Sequence, residues 1–130
     1  MHERPPRVLL DTNAVITLLR GNEPLRLFLQ KAAWVGISVI SELEFLSFPR
    51  LSQEDRELLA QFAQRCEVVG LSHEDRDLLR TITSIRRERR LRLPDAIVVG
   101  TAIHVGAVVV TADEGMLKAC PRATIPLPAS

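Results

Sequence analysis

The chain has 130 residues, 46% of them hydrophobic and 25% charged, which suits one globular domain with a sizeable core and is too short for two. Lys and Arg number 17 against 16 Asp and Glu, so a net charge of +1 gives no global sign of a nucleic-acid partner. Any such signal must be local. Cys66 and Cys120 lack the paired spacing and histidine company of a zinc site and read as reduced thiols of a cytoplasmic protein. Met1-His2-Glu3-Arg4-Pro5-Pro6-Arg7 has no apolar signal core behind it, because only Val8-Leu9-Leu10 follow before Asp11 interrupts. The apolar stretch from Ala96 to Ala112 is shorter than the roughly 20 residues of a membrane span and contains His104 and two glycines, so no membrane partner is expected.

Arg7-Val8-Leu9-Leu10 is a short β-type run that stops at Asp11-Thr12-Asn13, three residues that favour turns and helix caps. A helix follows from Ala14 to Arg20, Gly21-Asn22 closes it, and Pro24 sits early in a second amphipathic helix carrying Leu25, Phe28, Leu29 and Ala32. Val35 to Ile40 reads as the next strand. Ser41 then caps a helix through Glu42-Leu43-Glu44-Phe45-Leu46, which Pro49 ends. Ser52 and Asp55 form a capping-box pattern before a helix with Leu58, Leu59 and Phe62 inside. Cys66 to Leu71 reads as a third strand. Ser72 caps a long helix through Leu78, Leu79, Ile82 and Ile85 that turns basic at Arg86, Arg87, Arg89 and Arg90.

Leu93-Pro94-Asp95 opens an apolar helix that runs to His104. Proline suits its first position, and a carboxylate in the first turn is favoured by the positive end of the helix dipole. Ala107-Val108-Val109-Val110 is apolar on every residue, as a strand buried on both faces of a parallel sheet would be. It ends at Thr111-Ala112-Asp113. A short helix through Met116 and Leu117 and a last strand near Ala123-Thr124-Ile125 follow, with Pro126 and Pro128 in a terminal tail. The alternation predicts a three-layer α/β/α sandwich, one domain over residues 1–130, with a mostly parallel sheet of four to five strands.

Ligands of open parallel sheets bind outside the carboxyl ends of the strands. Asp11, the pair Glu42 and Glu44, and Asp113 follow three strand ends, and Asp95 opens a helix leading into the strand before Asp113. Each acid alone is a sensible cap or solvated side chain. Together they are electrostatically unfavourable unless a cation or proton compensates, and hard oxygen donors of this kind suit Mg²⁺ or Mn²⁺. Such ions serve on phosphate esters. No GxxxxGK[ST] or GxGxxG loop is present, and His2, His73 and His104 are poorly placed for a Ser/His/Asp triad. His104 reads as a helix C-terminal residue. A phosphoacceptor receiver domain is set aside because the third strand ends at Gly70-Leu71 and Lys118 lies within a helix.

Leu9-Leu10-Asp11-Thr12-Asn13, Ser38-Val39-Ile40-Ser41-Glu42-Leu43-Glu44-Phe45, Leu93-Pro94-Asp95-Ala96-Ile97 and Val110-Thr111-Ala112-Asp113 resemble the four acidic motifs of PIN-domain ribonucleases, in order and over nearly the whole chain. The resemblance is closest to the small bacterial VapC-type toxins of toxin–antitoxin pairs. It implies that Asp11, Asp95 and Asp113 surround a Mg²⁺ or Mn²⁺ ion, and that one glutamate joins them as a fourth catalytic acid. Matching the strand end puts that glutamate at Glu44. Glu42 is the alternative, and the two lie about 200° apart on a helix, so both do not face inward equally. Asn13 and Thr111 match polar positions that hold acids or water in that family.

The implied activity is cytoplasmic, metal-dependent endonucleolytic hydrolysis of RNA, leaving a 5′-phosphate and a 3′-hydroxyl. The implied partners are an RNA substrate, a cognate antitoxin and a second copy of the chain. Arg86, Arg87, Arg89, Arg90 and Arg92 supply cations for phosphates beside Asp95, or else a solvated helix end. With four Phe, one Trp and no Tyr, stacking on bases is poorly supplied, which favours recognition by shape. Leu18, Leu19, Phe28, Leu29, Phe45, Leu46 and Phe48 are mostly core by residue type, and the resemblance puts dimerisation and an antitoxin groove in this region. The competing readings are a housekeeping RNA-processing nuclease of the same family and a non-catalytic α/β interaction module whose acids are caps.

Overall fold

Twelve elements alternate along residues 4–129, the part of the chain that the computed structural model describes: β1 (Arg7–Leu10), α1 (Thr12–Leu19), α2 (Glu23–Gln30), β2 (Trp34–Ser38), α3 (Val39–Leu46), α4 (Gln53–Arg65), β3 (Glu67–Val69), α5 (Arg76–Arg89), α6 (Leu93–His104), β4 (Val108–Thr111), α7 (Glu114–Ala119) and β5 (Thr124–Pro126). The tail residues Met1, His2, Glu3 and Ser130 lie outside it. The sheet is five-stranded and parallel throughout, in the order β3-β2-β1-β4-β5. From β1 the chain builds outward on one side to β3 and then crosses to β4 on the other. The order therefore reverses beside β1, where the carboxyl edge of such a sheet leaves a crevice.

β1 sits at the centre because both of its faces are apolar. Val8, Leu9 and Leu10 are fully buried, with Leu10 level with Ile37 on β2 and Val110 on β4. Val8 and Leu10 pack on one side with Ala14, Val15, Leu25, Phe45 and Leu59, under the layer of α1, α2 and α4. Leu9 faces the opposite layer with Val98, Val99, Ala102, Val109 and Met116. α6 is buried continuously from Ala96 to Ala102 because it lies between the sheet and α5, whose Leu78 and Ile82 close over Ala96 and Ile97. The close approach needs Gly100: a Cβ there would fall 2.7 Å from the Ile82 side chain and 3.2 Å from its Cα. The architecture is the three-layer α/β/α sandwich that the sequence predicts.

Several boundaries differ from the sequence reading, two of them, at the starts of α3 and α5, through which residue closes or caps the turn. β2 ends at Ser38, whose Oγ accepts the Ile40 N–H at 3.2 Å, so Ser38 caps α3 in place of Ser41. The cap outweighs the β preference of Val39 and Ile40. Ser41 is carried inside the helix, 1% exposed, and its Oγ has no hydrogen-bond partner. α5 starts after Asp75; Ser72 closes the preceding turn, accepting the Glu74 N–H at 3.3 Å. Leu93 takes the first position of α6 and Pro94 the second, still within the turn that needs no intrahelical N–H.

Gly100→Ala is expected to destabilise the fold by about 1–3 kcal/mol in chemical denaturation, because Ile82 and its backbone must move. Ser41→Ala is expected to raise stability by about 1 kcal/mol, since an unpaired buried hydroxyl costs more than a methyl group there. A loss of stability in Ser41→Ala would show that the hydroxyl has a partner.

Candidate active site

Each acid reaches the carboxyl edge of the sheet by a local device. β1 ends against β4, and Asp11 follows directly as the cap of α1, its Oδ1 accepting the Ala14 N–H at 2.8 Å. Its Oδ2 accepts the hydroxyl of Thr111, the last residue of β4. The same Thr111 Oγ1 accepts the Asp113 N–H at 2.9 Å, and Asp113 caps α7 by accepting the Met116 N–H at 3.0 Å. Thr111 thus ties the acid after β1 to the acid after β4. Glu44 comes from the second turn of α3, where its Oε1 accepts the Thr12 hydroxyl at 2.7 Å. Asp95 comes from the first turn of α6, with Arg92 Nε 3.6 Å from its Oδ2.

Asp11, Thr12, Asn13, Glu44, Phe48, Arg92, Asp95, Val98 and Asp113 line one cleft of about 170 Å³. Four of the five acids of the sequence constellation, Asp11, Glu44, Asp95 and Asp113, are in it. Glu42 is not; its charge acts on Cys66, whose thiol is pushed up to about 11, mainly by burial and then by Glu42. His104 ends α6, roughly 14 Å along the helix axis from Asp95, and its Nε2 lies 3.3 Å from Asp75 Oδ2.

Electrostatics mark the cleft as short of positive charge. Asp11 is 6% exposed, and burial raises its pKa above the usual carboxylate value. The Thr111 and Ala14 hydrogen bonds oppose that rise, while Asp113 and Asp95 add to it. Asp95 is also raised, first by burial, with Arg92 opposing and Asp113 and Glu44 contributing. Among the described residues no three His, Cys, Asp or Glu side chains are placed so as to hold a metal ion between them. Hard carboxylate oxygens are nevertheless the donor chemistry that Mg²⁺ or Mn²⁺ prefers. Magnesium uses one or two carboxylates and keeps several waters, so a closed protein cage is not required.

Sequence reasoning missed Thr12, although it stands between two residues that were singled out. Its hydroxyl matters only because α3 returns beside α1, which no local pattern reveals. The sequence reading takes Arg92 as a cation for phosphates or part of a solvated helix end and not as a partner of Asp95, although its place three residues before an acid at a helix start is the available signal. Phe48 and Val98 enter the cleft through tertiary packing alone.

Comparison with curated protein sequences gave no match. Solved structures share the fold. A chain of a toxin-antitoxin complex from Klebsiella pneumoniae superposes with a TM-score of 0.72 at 23% identity, covering 91% of this chain and 95% of its own. VapBC2 from Rickettsia felis, bound to a DNA fragment from its promoter, gives 0.74 at 17% identity, covering 92% and 97%. DNA-bound VapBC from Salmonella typhimurium gives 0.71 at 24% identity, covering 94% and 98%. The PIN domain model matches residues 8–120, a span that contains the cleft with all four of its acids, and the chain therefore belongs to the PIN domain family.

Proposed function

We propose that the chain is a metal-dependent endoribonuclease, acting as the toxin of a toxin–antitoxin pair. The observation that carries the reading is the convergence of Asp11, Glu44, Asp95 and Asp113, from four separate segments, on one cleft at the carboxyl edge of the sheet. Caps alone give no reason for four acids to share a cleft against their mutual repulsion.

Asp11, Asp95 and Asp113 would hold Mg²⁺ or Mn²⁺. When bound, the ion lowers the pKa of an attacking water and offsets charge on the phosphate. The chain's own groups do the rest. Asp11 keeps one orientation because both of its oxygens are engaged, by Ala14 and by Thr111. Thr12 holds Glu44 with its carboxylate toward the cleft, where Glu44 or Asp113 orients the water and accepts its proton. Attack in line at phosphorus breaks the bond to the 3′ oxygen, leaving a 3′-hydroxyl on one fragment and a 5′-phosphate on the other. Arg86, Arg87 and Arg89, exposed in the last turn of α5, and Arg90 just after it would meet the RNA backbone through phosphates.

The toxin assignment draws support from the neighbours, since the Klebsiella structure is a toxin-antitoxin complex and the Salmonella and Rickettsia ones are VapBC assemblies. A second cavity of about 450 Å³, lined by Ile16, Arg20, Phe48, Pro49, Arg50, Leu51 and Asp55, would receive an antitoxin segment. Self-association and a cytoplasmic site of action follow the same reading. Among the described residues no helix is long and apolar enough to cross a membrane.

Asp11→Asn and Asp95→Asn are each expected to lower RNA cleavage at least about 100-fold with the fold intact by circular dichroism. Full activity in a folded Asp95→Asn protein would remove the reading. The raised carboxyl of Asp95 binds its proton more tightly folded than unfolded, so its charge opposes folding once the pH exceeds the folded pKa. In EDTA at pH 7, Asp95→Asn is therefore expected to melt above the wild type. That advantage shrinks as the pH falls toward the ordinary carboxylate value of 3.8. Added Mn²⁺ is expected to raise the wild-type melting temperature and to have much less effect on the variant.

Replacing Arg86 and Arg87 together by Gln is expected to weaken binding of a single-stranded RNA oligonucleotide. The logarithmic salt slope falls by roughly 0.7 for each phosphate that the variant no longer neutralises. An unchanged slope would mean that this helix end is only solvated.

A further inference from the structure

Arg92 is the one cationic side chain among the described residues that lines the acidic cleft. It precedes α6 at φ −64° and ψ 154° and makes no side-chain cap there. Its guanidinium turns instead toward Asp95, with Nε 3.6 Å from Oδ2.

The chain fixes the approach of this residue and leaves its end free. Arg90 adopts φ 56° and ψ 34°, a left-handed conformation uncommon for a residue with a side chain, and so reverses the path after α5. Leu91 is then packed against the clusters that hold α5 and α6 together. Those two residues bring the Arg92 backbone to the mouth of α6. Beyond them the Arg92 side chain is 83% exposed, whereas that of Asp95 is 23% exposed and surrounded by acids. In this pair the carboxylate stays in place and the guanidinium can leave.

We propose that Arg92 is a resident counter-ion of the cleft, which holds Asp95 while no divalent cation is bound and competes with such a cation for that carboxylate. The inference rests on the cation-dependent reading of the cleft. Its physical ground is that a guanidinium and a divalent cation repel each other, so each weakens the other's hold on a carboxylate they share. With Arg92 in place, part of the repulsion among Asp11, Glu44, Asp95 and Asp113 is already offset, so a cation gains less by binding. The freed guanidinium is then left at the entrance, planar and suited to oxyanions.

Calorimetric titration of the full chain with Mn²⁺ alone, in 0.15 M salt where charges beyond about 8 Å are screened, tests this. Arg92→Gln is expected to bind Mn²⁺ about two- to fivefold more tightly than the wild type, as removal of a competing exposed ion pair implies. Arg92→Lys should stay near the wild type. Arg86→Gln, which removes the same charge outside the cleft, should change affinity much less, and in an Asp95→Asn background Arg92→Gln should lose its effect. Equal or weaker binding by Arg92→Gln, or an equal gain from Arg86→Gln, overturns the counter-ion role and leaves the cation reading intact. Absence of Mn²⁺ binding in every one of these proteins overturns both.

Discussion

Repulsion among four carboxylates brought to one edge of a sheet is the constraint on which the rest of this structure depends. No acid in the cleft gains from the presence of the others, so the arrangement has to be held by parts of the chain outside it. The central strand supplies most of that hold. β1 is buried on both faces and hydrogen-bonded on both sides, and Asp11 is fixed simply by being the next residue. Helix starts supply the remainder. Asp11 and Asp113 each accept a backbone N–H from the helix they cap, and at Asp11 that bond favours the charged form where burial disfavours it.

The fold explains why the acids come from distant parts of the sequence. In a parallel sheet every strand delivers its carboxyl end to the same edge, and the reversal of strand order beside β1 leaves that edge open between the helices. Thr111 links two of these ends through one hydroxyl, and Thr12 links α1 to α3. These threonines give the charged groups fixed directions without adding charge. The apolar packing behind them, from Leu9 and Val98 to the close contact of Gly100 on Ile82, is what keeps α6 from yielding to the repulsion at its first turn.

Much of this was legible in the residues. The apolar run Val108-Val109-Val110, uninterrupted by polar residues, declared a strand covered on both faces, and β4 is that strand. Strand and helix alternation gave the layer order, and acids directly after strand ends pointed to the carboxyl edge. The choice between Glu42 and Glu44 was open to helical geometry only as an opposition of faces; the packing of α3 decides which face meets α1. Ser38 and Ser41 are both good caps as isolated residues; the helix starts at Ser38, with Ile40 packed among apolar neighbours in its first turn. The i,i+3 spacing of Arg92 and Asp95 is visible in the sequence, but the left-handed turn at Arg90 that aims Arg92 is not announced by the glycine or asparagine usual there.

RNA hydrolysis by this acidic cleft, proposed above to need a divalent cation, is read out by mapping RNA ends after incubating total RNA with the purified chain and Mn²⁺, beside Asp95→Asn. New 5′ ends that bear a phosphate are expected to accumulate at discrete positions with the wild-type chain and to vanish with EDTA or with the variant. The same ends produced by Asp95→Asn, or 5′-hydroxyl ends formed without a divalent cation, would contradict the proposal.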